Sequence, residues 1–199
     1  MSSRILTIGI DEVGRGPIAG PVAVGAFAFI NFEAKKLFRG VKESKQLSEQ
    51  NREAWFKVIE RAKNAGHVDF KVDFQSEKII DAKGLSYSIK TALANSLNAL
   101  VKSTNVKPHL SRVLLDGGLK APKHYTNQKT IIKGDEKEMV IALASICAKV
   151  LRDRRMNLLA KKYSNYGFER HKGYGTRQHY QAVKKYGVLS VHRRSFLKS

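Results

Sequence analysis

Residues 9–22 read GIDEVGRGPIAGPV, and this stretch decides how the rest of the sequence is interpreted. Apolar runs at residues 4–10 and 22–30 predict two strands joined by a glycine-rich turn. Asp11 and Glu12 stand where the first strand is expected to end. Ionised carboxylates are rarely buried without a partner, so a hard divalent cation is the expected compensation. Because glycines leave backbone N–H groups open to a phosphate or sugar, we expect a metal and a nucleic-acid backbone to meet here.

The balance of charge favours a nucleic-acid partner. The 199 residues include 37 basic and 17 acidic ones, which give a net charge of +20. Residues 149–199 hold 14 basic and two acidic residues together with five of the seven tyrosines. A basic surface interleaved with aromatic side chains is typical of proteins that bind nucleic acid. The same charge also fits a solubilising face or attraction to an anionic membrane.

A single cysteine, Cys147, excludes an internal disulfide and favours a reducing compartment. It falls in an apolar helical pattern, which favours burial over catalysis. No apolar run has the length of a membrane span, and residues 5–10 are too few for the hydrophobic part of a secretory signal. We therefore expect a cytoplasmic protein.

Hydrophobic periodicity predicts an α/β fold with a mixed β-sheet flanked by helices. Strands are expected at residues 4–10, 22–30, 67–72, 113–115 and 130–132, and helices at 49–65, 76–81, 85–101, 138–162 and 176–186. No repeat or linker divides the chain, so residues 1–199 are expected to form one domain. Residues from about 160 to 199 are expected to form a basic helical appendage that contacts the substrate.

Two further carboxylates follow predicted strands in glycine-containing turns. Asp116 occurs in LDGG after residues 113–115, and Asp135 occurs in KGD after residues 130–132. Ligands of open α/β sheets bind outside strand ends, where converging carboxylates repel one another unless cations intervene. Such oxygen ligands suit Mg²⁺ or Mn²⁺, and two ions about 4 Å apart could activate water and stabilise the leaving oxygen of a phosphodiester.

Simpler interpretations stay open for each of these carboxylates. Asp-Gly and Gly-Asp are common turn dipeptides, so Asp116 and Asp135 also fit plain turn or helix-cap residues. Successive strand side chains point to opposite faces, so Asp11 and Glu12 can share a metal only where the strand twists or ends. The glycine-rich loop has neither the Walker nor the Rossmann spacing.

Eight segments in chain order resemble the ribonuclease HII family, and they extend over nearly the whole chain. They are GIDEVGRGP at 9–17, ESKQLS at 43–48, LDG at 115–117, KGD at 133–135, ASICAKVLRDR at 144–154, YGF at 166–168, HKGYGT at 171–176 and HRRSF at 192–196. Val13, Glu43 and Gln46 depart from the family pattern, which usually has Ala, Asp and Lys there. The HKGYGT motif and the short segment before Asp11 favour this family over ribonuclease HIII.

The resemblance implies a ribonuclease H-like fold and an endoribonuclease that hydrolyses RNA in RNA–DNA hybrids. It also implies cleavage on the 5′ side of single ribonucleotides in duplex DNA by two metal ions, which leaves 3′-hydroxyl and 5′-phosphate ends. The catalytic and metal-binding carboxylates would be Asp11, Glu12, Asp116 and Asp135, with Mg²⁺ or Mn²⁺ as the cofactor.

The resemblance also implies a set of substrate contacts. They are Gly14, Arg15, Gly16, Tyr174, Ser44, Lys45 and Lys172. The Gly-Arg-Gly loop would hold the ribonucleotide through its 2′-OH, which distinguishes RNA from DNA. Tyr174 would stack on the sugar of the next deoxynucleotide and so sense the RNA-to-DNA junction. Ser44, Lys45 and Lys172 are candidate phosphate contacts, with solvated surface roles as an equal alternative.

The expected partner is an RNA–DNA hybrid or a DNA duplex that contains ribonucleotides. We expect a monomer that binds no membrane, and the sequence identifies no protein partner. The main alternative is a non-catalytic basic nucleic-acid-binding protein, which explains the charge but leaves the strand-end carboxylates without a role. A third hypothesis is a metal-dependent nuclease or phosphotransferase with a different substrate.

Overall fold

Five strands form one mixed sheet within residues 5–42 and 44–197, the part of the chain that the computed structural model describes. They are β1 (Leu6–Val13), β2 (Val22–Phe29), β3 (Val68–Gln75), β4 (Ser111–Asp116) and β5 (Gln128–Ile131). Their order in the sheet is β3-β2-β1-β4-β5. β2 pairs antiparallel with β1 and β3, whereas β1, β4 and β5 run parallel. The predicted mixed sheet is therefore confirmed.

Seven α-helices accompany the sheet in the same described ranges. They are α1 (Glu49–Asn64), α2 (Glu77–Lys83), α3 (Leu85–Thr104), α4 (Gly134–Lys137), α5 (Met139–Lys162), α6 (Phe168–His171) and α7 (Arg177–Tyr186). Side-chain oxygens of Ser48, Ser76 and Thr176 accept N–H groups in the first turns of α1, α2 and α7. Such N-caps stabilise a helix start, and they explain why these boundaries are readable from the sequence. None of the described helices has the length and apolar character to cross a membrane.

The sheet has an apolar layer on each face. Ile8 and Ile10 face α3, whereas Phe27 and Leu114 face α1 and α5, as the alternation of strand side chains requires. Cys147 is buried in the α5 layer, as expected.

Close approach of α5 to the centre of the sheet depends on two glycines. A Cβ on Gly9 would lie 2.2 Å from the Val140 carbonyl oxygen, and one on Gly25 would lie 2.5 Å from the Ala144 carbonyl oxygen. Any side chain at these positions would push the helix away from the sheet. The glycines therefore allow the N-terminal half of α5 to lie directly beneath β1 and β2.

The predicted C-terminal helices are present, and they pack against the rest of the protein through a third apolar cluster. Met156 at the end of α5 packs there with Tyr166, Phe168 and Ala182. Ala19, from the glycine-rich loop, belongs to the same cluster. The C-terminal segment is therefore attached to the loop that the sequence analysis singled out.

Two predicted boundaries are wrong in a way that affects the carboxylates. β1 continues to Val13, because β2 pairs with it as far as Ala23, so Asp11 and Glu12 are strand residues opposite Gly25 and Val24. Asp135 lies in the short helix α4, not in an open turn.

Candidate active site

The four predicted carboxylates lie on three segments that meet at one edge of the sheet. Asp11 and Glu12 are near the carboxyl end of β1, Asp116 ends β4, and Asp135 follows β5 in α4. Because β1, β4 and β5 are parallel neighbours, their carboxyl ends coincide. Asp116 stands one residue beyond the pair formed by Ile10 and Leu115, which brings it beside Asp11.

A hydrogen bond connects the last two segments of this edge. The Gly134 N–H donates to Asp116 Oδ1 at 2.7 Å. A Cβ on Gly134 would lie 2.6 Å from Ile141 Cδ1 and 3.3 Å from that carboxylate oxygen. Glycine therefore lets α4 approach β4 without moving the Ile141 and Asp116 side chains, and the approach places Asp135 next to the strand ends.

Asp11 lies in a buried and negatively charged environment. It is 5% exposed, and burial is the main reason that its pKa is raised to about 7. A hydrogen bond with Ser145 opposes this rise, while the charges of Glu12 and Asp116 add to it. Burial also raises the pKa of Glu12, against the lowering effect of Arg15. A cation at this edge would relieve both the burial cost and the repulsion.

The donor atoms fit a divalent cation. Glu12 Oε1 accepts from Arg15 Nη1 at 2.9 Å, whereas Glu12 Oε2 is buried and has no hydrogen-bond partner in the described part of the chain. An unsatisfied buried acceptor costs about 1–3 kcal/mol, and more when it is charged. Hard carboxylate oxygens with an unfilled coordination requirement suit Mg²⁺ or Mn²⁺.

Two of the carboxylates are directed towards protein cations. Among residues 5–42 and 44–197, no three His, Cys, Asp or Glu side chains are arranged as a metal-binding group. The strand pleat points the Glu12 side chain away from Asp11, and Glu12 forms an ion pair with Arg15. In the second pair, Lys45 Nζ lies 3.2 Å from Asp135 Oδ2. The side chains of Arg15 and Lys45 are 58% and 75% exposed, so each cation can turn towards solvent when a metal ion takes its place beside the carboxylate.

A serine that the sequence analysis missed connects a predicted phosphate contact to Asp11. Ser44 is only 4% exposed, and its Oγ lies 2.7 Å from Ser145 Oγ. Ser145 in turn lies beside the Asp11 carboxylate and lowers its pKa. Ser44 therefore faces inward and supports the site from behind. The available sequence signal was a hydroxyl in the small-residue face of α5, next to Ala144. The preceding residue, Glu43, lies outside the described residues.

The glycine-rich loop and the Tyr174 loop contact each other. Gly173 O accepts the N–H groups of Ile18 and Ala19 at 2.9 and 3.2 Å, and a Cβ on Gly16 would lie 3.7 Å from Tyr174 Cε1. Tyr174 remains 43% exposed. The two loops that the sequence analysis assigned to substrate binding therefore form one continuous surface.

Lys172 has a different environment from the one that a phosphate contact requires. It is 7% exposed, and its Nζ donates to Glu49 Oε1, Asn157 Oδ1 and Glu169 O at 3.0, 2.7 and 2.8 Å. An ammonium group has three donors, so these acceptors use all of them. Lys172 cross-links α1 and α5 to its own loop, and its predicted phosphate contact would need one of these bonds to break.

Three buried histidines lie behind the Tyr174 loop, and no spacing in the sequence indicated their grouping. The rings of His171 and His179 stack at 4.3 Å, and His179 Nε2 lies 3.1 Å from His192 Nε2. His179 Nδ1 also bonds with Tyr174 O at 2.9 Å. Burial lowers the pKa of His179 to about 4, so the ring is neutral near pH 7. The histidines act as packing and hydrogen-bonding groups that support the loop.

Carboxylates at the joined ends of parallel strands, on a sheet of order 3-2-1-4-5 flanked by helices, define a metal-dependent nuclease of the ribonuclease H-like fold. A family model described as Ribonuclease HII matches residues 8–199. The chain belongs to the ribonuclease HII family, so it is a metal-dependent endoribonuclease that acts on RNA–DNA hybrids. This membership overturns the alternative of a non-catalytic nucleic-acid-binding protein.

Individual relatives agree with the family assignment. The ribonuclease HII of Caldicellulosiruptor bescii is 40% identical over 191 residues, which cover 96% of this chain and 86% of the relative. The crystal structure of ribonuclease H2 from Pyrococcus horikoshii has 27% identity and a TM-score of 0.72, and covers 96% of this chain and 93% of its own. The ribonuclease HII in the PCNA complex from Archaeoglobus fulgidus has 24% identity and a TM-score of 0.72, with 98% and 96% coverage.

Proposed function

We propose that this ribonuclease cuts duplex DNA on the 5′ side of a single embedded ribonucleotide as well as hydrolysing longer hybrids, and that it leaves 3′-hydroxyl and 5′-phosphate ends. The observation that carries the proposal is that the Gly173 carbonyl oxygen joins the Tyr174 loop to the glycine-rich loop by accepting the N–H groups of Ile18 and Ala19 at 2.9 and 3.2 Å. A surface that contacts the 2′-hydroxyl of one sugar and also the next sugar needs two such elements close together. Cleavage of a long hybrid does not require recognition of an RNA-to-DNA junction.

Two Mg²⁺ or Mn²⁺ ions would be held by Asp11, Glu12, Asp116 and Asp135. When bound, the ions supply an activated water and stabilise charge on the leaving oxygen. The chain's own contribution is orientation, because the Gly134 N–H holds Asp116 in place and the Ser145 hydroxyl lies beside Asp11. Fixed ligands reduce the reorganisation required during reaction.

The Gly-Arg-Gly loop would approach the ribose closely because Gly16 has no side chain to keep it away. Arg15 adds an exposed guanidinium beside Glu12, where it can contact the backbone of the nucleic-acid strand that carries the ribonucleotide. The exposed face of Tyr174 would stack on the next sugar, and a 2′-hydroxyl there would interfere with this contact. Lys45 is the phosphate-contact candidate whose side chain extends to solvent beside Asp135.

Cleavage of four duplexes tests the proposal: DNA with one ribonucleotide, an RNA–DNA hybrid, all-DNA and all-RNA. We expect cutting of the first two with Mg²⁺ or Mn²⁺, none with EDTA, and a nick 5′ of the ribonucleotide when the ends are mapped. Asp135→Asn should abolish cutting, whereas Glu136→Gln, on an exposed neighbour that pairs with Lys133, should retain it. No nick at the single ribonucleotide with either metal, while the hybrid is cut, would refute the proposal.

A further inference from the structure

The glycine-rich loop is held from inside the protein by two arginines. Arg152 on α5 and Arg193 in the C-terminal tail are both 0% exposed. Charged side chains are almost never fully buried unless they are paired, because removing a charge from water is costly. The partners of these two guanidinium groups therefore indicate what the burial achieves.

Arg152 connects the two recognition loops. Its Nε and Nη2 atoms donate to the carbonyl oxygens of Pro21 and Ala19 at 2.9 and 3.4 Å. Its Nη1 donates to Lys172 O at 3.0 Å, two residues before Tyr174. One rigid guanidinium thus sets the distance between the glycine-rich loop and the Tyr174 loop. A Cβ on Gly14 would lie 2.3 Å from its Nε, so the loop is packed directly against it.

Arg193 holds the same loop from near the opposite end of the chain. Its Nε, Nη1 and Nη2 atoms donate to the carbonyl oxygens of Gly20, Arg15 and Gly14 at 2.9, 3.0 and 2.7 Å. Its own N–H donates to Ile18 O at 2.8 Å. The carbonyl oxygens of Gly14 and Arg15 in the Gly-Arg-Gly segment therefore point towards the buried guanidinium group.

Both guanidinium groups donate these bonds to backbone carbonyl oxygens, and the charge of Arg152 acts on Arg193. Burial and the charge of Arg152 lower the pKa of Arg193 to about 10, which still leaves it charged near pH 7. Two buried like charges are a poor way to obtain stability alone, since apolar side chains often fill such space at no loss. A guanidinium group is, however, planar and has several donors, so it is well suited to holding a backbone segment in one conformation.

We propose that Arg152 and Arg193 are positioning residues that set the spacing between the Gly-Arg-Gly loop and Tyr174, and that this spacing determines selectivity for single ribonucleotides. The inference rests on the proposed function, because only a junction-reading site depends on that spacing. Cleavage of a long hybrid depends mainly on the carboxylates, which neither arginine contacts directly.

Arginine-to-lysine variants test this inference because lysine keeps the charge and removes the fork. R193K and R152K are compared with R194K and R155K, which alter exposed arginines one and three residues away. Steady-state cleavage of the single-ribonucleotide duplex and of a long hybrid is measured with the same preparation. We expect kcat/KM on the single ribonucleotide to fall about tenfold further than on the hybrid, since misplacement by about 1 Å costs up to about 100-fold. The controls should keep the wild-type ratio.

The ratio of the two activities separates positioning from general damage, because partial unfolding lowers both activities equally. An unchanged ratio in both folded variants would overturn the inference, and so would a wild-type ratio in R152K if R193K does not fold. A wild-type enzyme that fails on the single ribonucleotide would instead refute the proposed function.

Discussion

Adding one methyl group at Gly16 should separate substrate recognition from folding. The built Cβ would lie 3.7 Å from Tyr174 Cε1, which is an ordinary van der Waals contact, and the Gly16 backbone is not in the positive-φ region. Alanine is therefore accommodated in the free protein. Because alanine also restricts the unfolded chain, the free energy of unfolding should stay the same or rise by about 0.4–1 kcal/mol.

The same methyl group occupies the space in which the ribose would approach the loop. We expect Gly16→Ala to lower kcat/KM on a single-ribonucleotide duplex at least about tenfold, which corresponds to ~1.4 kcal/mol of transition-state stabilisation. The loss on a long hybrid should be similar, since the ribose at the cleaved position approaches the same loop in either substrate. Cleavage rates on both substrates and a urea unfolding curve give the three quantities.

Gly14→Ala is the matched contrast. Its φ of 90° is unfavourable for alanine, and the Cβ would lie 2.3 Å from Arg152 Nε. Backbone strain of this kind costs about 1–3 kcal/mol, so this variant should lose stability. If Gly16→Ala cuts the single-ribonucleotide duplex at the wild-type rate, or if it unfolds as readily as Gly14→Ala, the assignment of this loop to the ribose is wrong.

Further predictions concern the carboxylates, the tyrosine and the histidines. Asp116→Asn should abolish turnover while leaving duplex binding nearly intact in a gel-shift titration, and full activity would remove Asp116 from the mechanism. Tyr174→Ala should weaken cutting at single ribonucleotides more than on long hybrids, and equal losses would exclude junction sensing. Because the fold lowers the pKa of His179 from 6.5 to about 4, the contribution of this histidine to stability should be complete above pH 6.5 and be lost as the pH falls towards 4. The part of the acid-induced loss of stability that His179→Gln removes, measured by urea unfolding, should be about 3 kcal/mol at most, and the control His109→Gln should remove none of it.

The sequence predicted most elements of the fold because their signals are local. Apolar periodicity and the caps Ser48 and Thr176 act within a few residues, so α1 and α7 begin where expected. The predicted end of β1 was wrong because the length of a strand depends on its partner strand, and β2 continues the pairing past Asp11. Whether a lysine can contact a phosphate also depends on the residues that surround it in space. Lys172 illustrates this, because its Nζ donates hydrogen bonds within the protein.

The sequence by itself determined which side chains are chemically able to bind a hard metal ion, and that the chain carries a large positive charge for a polyanionic substrate. Only the tertiary structure decided that Arg152 and Arg193 belong to the interior. In the sequence they are two of 37 basic residues, and although both stand in segments that resemble the family, no local pattern marks them as buried. Their burial is possible because the carbonyl oxygens of residues 14–21 supply acceptors from more than 130 positions away. Solvation of a charge depends on what surrounds it in space, and chain order alone does not contain that information.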